Sequence, residues 1–364
     1  MKIVIDDKIP YIREVISQIT SDALYIKGTD ICHDDLIDAD ALIIRTRTHC
    51  DAALLKGTNV KFIATATIGF DHIDTQYLKQ AHISWMNCPG CNAASVEQYV
   101  HAVLLLLKRE RKADLTQLTI GIVGCGHVGS KVAIAAKAEG MKVLVCDPLR
   151  QEKGDTARFT PANVDNGKRS LIDHDDTSAC FVSMETIQQQ CDIISFHVPM
   201  VKEGKYPTLH LANDSFFKQL KKQPVIINTS RGAVIDNTAL LHALHTHQVA
   251  DAVIDTWENE PHINLQLLDK VWIGTPHIAG YSADGKVNAD NMVIEGLCQF
   301  FNINHHYHIA PPSLPSTCTP HGTKEEQLLQ LYNPINDSKH LKANPEKFEW
   351  LRGNYPLRRE TFSK

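Results

Sequence analysis

Four segments carry side chains whose types and spacing suit chemistry. Thr119-Ile-Gly-Ile-Val-Gly124-Cys-Gly126-His-Val-Gly129 sets Gly-x-Gly-x-x-Gly directly behind an apolar run. Ile227-Asn-Thr-Ser-Arg231-Gly-Ala, Asp255-Thr-Trp-Glu-Asn-Glu260-Pro and Thr275-Pro-His277-Ile-Ala-Gly280-Tyr281 each follow a β-branched run. A guanidinium offers a planar fork that meets a carboxylate at two points. An imidazole titrates near neutral pH and can take a proton, and a carboxylate on its other nitrogen fixes the tautomer and stabilises the imidazolium. Oxidation of a 2-hydroxy acid needs these roles: Arg231 for the substrate carboxylate, His277 for the hydroxyl proton, Glu260 to tune His277.

The glycine pattern gains weight from its context, because it opens a helical stretch and is followed by a second strand, Val143-Leu-Val-Cys, ending at Asp147. Gly124 permits the tight turn, Gly126 lets backbone approach a pyrophosphate, and Gly129 lets the helix lie against the sheet. The N–H groups near His127 and Val128 then face the phosphates. Asp147 accepts from the adenosine ribose hydroxyls and repels a 2′-phosphate, so NAD is the expected cofactor.

Positioning these residues requires a parallel α/β scaffold. Short apolar runs at 2–5, 41–44, 62–64, 119–123, 142–146, 192–196, 225–228, 250–255 and 271–274 alternate with amphipathic stretches such as 71–80, 127–140, 213–221 and 237–247. The first three strands form one unit, and the apolar segment 95–111 is a buried connecting helix into a second, more regular one. The expected fold is α/β, with two Rossmann-like doubly wound parallel-sheet domains plus a small C-terminal segment. Residues 1–94 are the first domain. Residues 95–281 bind NAD, and 302–364 form the C-terminal segment, with helices expected at 323–332 and 345–355. Residues 151–182 show little periodicity and read as an extended surface loop.

The chain of 364 residues is 43% hydrophobic and 22% charged, enough for large cores, and its net charge of −5 has no block of like charges that would favour nucleic acid or anionic lipid. No apolar run approaches the ~20 residues of a membrane span. Met1-Lys2-Ile-Val-Ile5 has no secretion-signal pattern, so a cytoplasmic address is expected. Ten cysteines without such a signal read as reduced thiols, Cys88 and Cys91 included. His305-His306-Tyr-His308 reads as a polar connector; no metal is expected.

With these motifs in hand, the chain resembles the D-isomer-specific 2-hydroxy-acid dehydrogenase family, whose pattern runs Gly-x-Gly-x-x-Gly, Asn-x-x-Arg-Gly, Glu-Pro, Pro-His. Ala64-Thr-Ala-Thr-Ile-Gly-Phe-Asp-His72, Ser195-Phe-His-Val-Pro199 and Ile273-Gly-Thr-Pro-His-Ile-Ala-Gly-Tyr281 support the resemblance, which runs from residue 1 to about 300; Leu351-Arg-Gly-Asn-Tyr-Pro-Leu-Arg-Arg359 carries it into the tail. The resemblance implies an NAD-dependent dehydrogenase for a small phosphorylated hydroxy acid, with a cleft between the two domains, residues 1–94 as a substrate lid domain completed by 282–300, and a C-terminal dimerisation segment that makes it a homodimer. It implies Arg231, Glu260 and His277 as the catalytic three, Thr46, Thr67 and Tyr281 as substrate contacts, and Val198, Asp255 and Gly280 as cofactor contacts. Arg45 and Arg47, beside two threonine hydroxyls, could hold the phosphate. Two other readings stand beside it: a dehydrogenase for another phosphorylated 2-hydroxy acid such as 3-phosphoglycerate, and a non-catalytic NAD-sensing interaction protein.

Overall fold

The computed structural model describes residues 1–155, 181–304 and 307–362. They divide into two α/β units: Met1–Asn92 with Tyr281–Cys318, and Ala93–Gly280 with Thr319–Phe362.

The first unit holds five parallel strands, β1 (Ile3–Asp6), β2 (Ala23–Ile26), β3 (Ala41–Ile44), β4 (Phe62–Thr65) and β5 (Ser84–Met86), in the order β2-β1-β3-β4-β5. Side chains alternate between two cores, as a pleated strand requires. Ile3, Ile5, Ile43 and Phe62 pack with Val293, Ile294 and Leu297 of the helix Ala283–Phe300, while Val4, Leu42, Ile44 and Ile63 pack with Leu36, Leu55 and Leu78 on the other side. The order reverses between β1 and β3, so the carboxyl ends at Asp6 and Ile44 flank the crevice where such sheets hold ligands. The sequence reading found three of these strands. It missed β2 and β5 because both lie at sheet edges, are half-buried or exposed along their length, and carry few β-branched residues, one in Ala-Leu-Tyr-Ile and none in Ser-Trp-Met.

The second unit holds six parallel strands, β6 (Thr119–Val123), β7 (Lys142–Cys146), β8 (Ile193–Phe196), β9 (Val225–Asn228), β10 (Asp251–Ile254) and β11 (Ile273–Gly274), ordered β11-β10-β9-β8-β6-β7. Here the reversal falls between β6 and β8. The helix Ala93–Glu110 buries its run from Ala102 to Leu107, as its composition demands.

The tail does not stand apart as one segment. Residues up to Cys318 cluster with the first unit and Thr319–Phe362 with the second. In the second unit Leu341 and Phe348 enter the main core, and Gly274 N–H donates to Ser338 Oγ at 3.0 Å. The helix Pro334–Ala343 was not expected, although Asn333 as its cap and Pro334 at its first position are ordinary start signals. The expected surface loop lies largely outside the described residues; at its far end Val182 N–H donates to Val145 O at 2.8 Å. Among the described residues no helix is long and apolar enough to cross a membrane.

Candidate active site

In the second unit the candidate residues gather at the carboxyl edge of the sheet. At the β6/β8 reversal Gly124 has φ +87°, the left-handed region that disfavours side chains, and a Cβ there would lie 2.7 Å from Val198 Cγ1. A Cβ on Gly129 would lie 2.0 Å from Gly124 O, so only glycine lets the helix His127–Ala138 start this close to the turn. A Cβ on Gly126 would meet nothing within 4 Å: the space over the turn is open. The helical ladder begins with Ser130 N–H to Gly126 O, so the N–H groups of His127, Val128 and Gly129 lie ahead of it at the positive end of the dipole. Asp147 Oδ2 accepts from Cys125 N–H at 2.8 Å and Oδ1 from Arg150 N–H at 3.1 Å, which places the carboxylate beside the turn. An open glycine turn with a helix start on one side and an acid on the other fits a dinucleotide.

β9, β10 and β11 are neighbours, so the segments after Asn228, Ile254 and Gly274 emerge side by side. Asn228 organises the first of them. Its Oδ1 accepts from Ser230 N–H and Oγ–H at 3.1 and 2.8 Å, and its Nδ2 donates to Arg231 O at 3.0 Å. This fixes the backbone that presents Arg231, whose Nη1 donates to Ser230 O at 2.8 Å.

His277 Nδ1 donates to Glu260 Oε2 at 2.8 Å, because an ionised carboxylate only accepts. That leaves Nε2 as the basic nitrogen. Glu260 Oε1 accepts from Trp257 N–H at 2.8 Å, so both carboxylate oxygens are anchored. Burial alone would push the Glu260 carboxyl up. The imidazole charge and hydrogen bond of His277, the Trp257 N–H and the Arg352 charge outweigh it and hold the group below its usual range.

The turn that carries His277 is itself held. His277 sits in the left-handed region with φ 57°, and its N–H donates to Asp255 O and Thr275 O at 2.9 and 3.0 Å. Asp255, 1% exposed, accepts from Thr275 Oγ1 at 2.7 Å, Ile278 N–H at 2.7 Å and Ala279 N–H at 3.0 Å. Since the Thr275 hydroxyl donates to Asp255, Tyr99 O–H must donate to Thr275 Oγ1, at 2.8 Å. Burial raises the Asp255 carboxyl, against the His277 charge and these hydrogen bonds.

In the first unit Thr46 is exposed on the segment after β3. Thr67 Oγ1 donates to Gly69 O at 2.9 Å, so it receives the Thr65 hydroxyl at 2.7 Å, and Thr65 in turn receives His72 Nε2–H at 3.1 Å. Burial pushes His72 down to about 4, consistent with that neutral tautomer. Thr48 Oγ1 is spent on Gly28 O at 2.8 Å, whereas half-buried Arg45 donates to Lys8 O at 3.2 Å across the β1/β3 crevice. Tyr281 precedes the capping residue Ser282, and the Lys286 ammonium lies 5.1 Å from its ring centroid. Burial, helped by the nearby Arg45 charge and opposed by Asp290, lowers Lys286 to about 8, and burial raises Asp290, one turn further along the helix, to about 7.

The family model described as D-isomer specific 2-hydroxyacid dehydrogenase, NAD binding domain, matches residues 97–279. The chain belongs to that family. It is 54% identical over 360 residues to an erythronate-4-phosphate dehydrogenase from Bacteroides thetaiotaomicron, covering 99% of this chain and 97% of that one. It is 39% identical to the enzyme of the same name from Escherichia coli, covering 99% and 92%. An NAD-bound 3-phosphoglycerate dehydrogenase structure from Entamoeba histolytica superposes with a TM-score of 0.64 at 26% identity, covering 83% of this chain and 95% of that one. The family's NAD-binding domain is thus present, and the two-domain parallel α/β reading agrees with its fold.

Within this dehydrogenase fold the structure joins His277 to Glu260 directly and sets the Arg231 loop at the same sheet edge. Val198 abuts the glycine turn, and Gly280 closes the segment that Asp255 holds. Asp255, expected from the resemblance as a cofactor contact, directs its oxygens to Thr275 and the backbone of residues 278–279. Sequence reasoning missed Lys286, whose signal was its place four residues inside a capped helix, and the supporting role of Tyr99, which has no local signal because it lies 176 positions from Thr275.

Proposed function

We propose that this chain catalyses the NAD-dependent oxidation of 4-phospho-D-erythronate to 2-oxo-3-hydroxy-4-phosphobutanoate, the step the resemblance implies in pyridoxal 5′-phosphate (vitamin B6) biosynthesis. The observation that carries the reading is the anchored His277–Glu260 pair at the sheet edge that also presents Arg231. The 54% identity to a relative of that name over almost the whole chain supports the substrate.

The cofactor-binding set is Gly124, Gly126, His127, Val128, Gly129, Asp147 and Val198, with Asp255 and Gly280 at the nicotinamide end. Bound there, NAD supplies the hydride acceptor; the remaining work belongs to side chains. Arg231 forks onto the C1 carboxylate and fixes C2. His277 Nε2 takes the C2 hydroxyl proton, and Glu260 stabilises the imidazolium through Nδ1–H. Thr46, Thr67 and Tyr281 contact the substrate. Its phosphate is held by Arg45, which stands at the β1/β3 crevice, with Lys286 beside Tyr281.

Purified protein given NAD, 4-phospho-D-erythronate and a 2-oxo acid to recycle the cofactor should accumulate the 2-oxo product. No product from folded, NAD-binding protein overturns the assignment. The 26%-identical 3-phosphoglycerate dehydrogenase structure favours one alternative substrate, and a kcat/KM ratio in favour of 3-phosphoglycerate decides for it. We also assign a homodimer: Trp350 and Leu357, 61% and 44% exposed in the C-terminal segment, are apolar surface a second copy would cover, and sedimentation at a single mass of one chain contradicts it. A cytoplasmic location, checked by fractionation, accompanies this reading.

A further inference from the structure

We propose that Arg358, from the far end of the chain, is a positioning residue for the base His277. Its guanidinium is buried, with Nη1 donating to Ile278 O at 3.2 Å and Nε to Gln98 Oε1 at 2.8 Å. Nη2 donates to Ser95 O, and the group lies 3.6 Å over the Tyr332 ring. Burying this cation is costly unless its donors are satisfied, and here they go to backbone carbonyls and an amide oxygen. The segment around it is stitched to the same helix, with Gln98 Nε2 donating to Arg359 O at 3.0 Å and Ser95 Oγ to Glu360 Oε1 at 2.8 Å.

The residue it grips gives the contact its meaning. Ile278 follows His277, and its N–H is already held by Asp255 Oδ1 at 2.7 Å. Residue 278 is therefore fixed at both polar ends, by an anion at its N–H and a cation at its carbonyl. His277 itself occupies a left-handed backbone position that is unfavourable for a side-chain-bearing residue and persists only when its neighbours hold it. Tyr99, which donates to Thr275 just ahead of the turn, has its ring 5.9 Å from that of Tyr332, so the tail also packs against the residue that supports Thr275. Residues 319–362 thereby hold the direction of the imidazole as well as filling core.

The inference rests on His277 acting as the base, and the test separates the two. In full-length protein, Arg358→Lys and Arg358→Met are compared with the parent for circular dichroism, NAD affinity, kcat, KM and the NMR titration of the His277 ring, assigned with His277→Asn. Arg358→Met is expected to keep its fold and NAD affinity, to lose kcat by about 10- to 100-fold, and to move the His277 titration; Arg358→Lys falls between. Should Arg358→Met not fold, Arg358→Lys alone decides, because lysine keeps the charge and loses the fork. A folded variant with unchanged kcat and an unmoved His277 titration overturns the proposal. If the parent turns over no hydroxy acid, the proposed activity fails, while the His277 titration still decides the role of Arg358.

Discussion

Gly232 and Trp257 are in backbone contact so close that a Cβ on Gly232 would lie 1.8 Å from the Trp257 carbonyl oxygen and 2.6 Å from Glu258 N. This contact sets the loop of Arg231 against the loop of Glu260. Gly232→Ala must push the two apart. We expect kcat/KM to fall by about 10²-fold, as ångström misplacement of a substrate clamp does, with a stability loss of about 1–3 kcal/mol. Steady-state kinetics and thermal unfolding check it; parental kcat/KM in the folded variant contradicts it.

Glu260→Gln keeps the shape of the partner and removes its charge. The imidazolium formed as His277 takes a proton then loses its counter-charge, and kcat should drop by roughly 10²–10³-fold with NAD affinity unchanged. The folded carboxyl lies below its ordinary 4.5, so Glu260 contributes stability that is present above about pH 4.5 and lost as pH falls through the folded value. Urea unfolding should show a shallower acid limb in the variant.

Phosphate binding should weaken as pH rises past neutrality. Three charged groups meet there: Arg45, Asp290, which gains a negative charge as pH passes about 7, and Lys286, which loses its positive charge as pH passes about 8. The ligand is already mostly dianionic above about pH 6, so both changes act against it. KM for the phosphorylated substrate is expected to rise between about pH 7 and 9, while that of an unphosphorylated 2-hydroxy acid stays level. Asp290→Asn should delay the rise, and Lys286→Met should raise KM at every pH below it. A flat KM profile contradicts the phosphate site.

Two desolvated histidines should make the fold acid-sensitive. Burial lowers His72 to about 4 and His197 to about 3, against an ordinary 6.5. Between those values and 6.5 the unfolded chain binds protons that the folded chain refuses, so stability falls as pH falls through that window. His197 Nε2 is paired with Ser195 Oγ at 2.9 Å, and His197→Asn should flatten part of the slope in denaturant titrations at pH 7, 5 and 4. An equal slope in parent and variant counts against the assignment.

The residues proposed for the chemistry were legible because each lies within a few positions of a strand end. Arg231, Glu260, His277 and the glycine turn are named by local pattern alone. Their supports were less so. Asn228 sits in the same short motif as Arg231 and could be read with it, whereas the partners Tyr99–Thr275 and Arg358–Ile278 are 176 and 80 positions apart, and no periodicity reports such a contact. Edge strands β2 and β5 failed for a different reason: with one neighbour each and partial exposure, they need no β-branched run of the kind that marks the buried strands. The helix after Asn333-Pro334 carried its start signals and was passed over because the surrounding tail is rich in proline.

The decisive measurement is a crystal structure of the protein with NAD and a non-reacting analogue of 4-phospho-D-erythronate. The C1 carboxylate is expected in a two-point fork on Arg231 and the C2 hydroxyl within about 2.6–3.2 Å of His277 Nε2. A carboxylate bound elsewhere, or a hydroxyl hydrogen-bonded to a base other than His277, would contradict it.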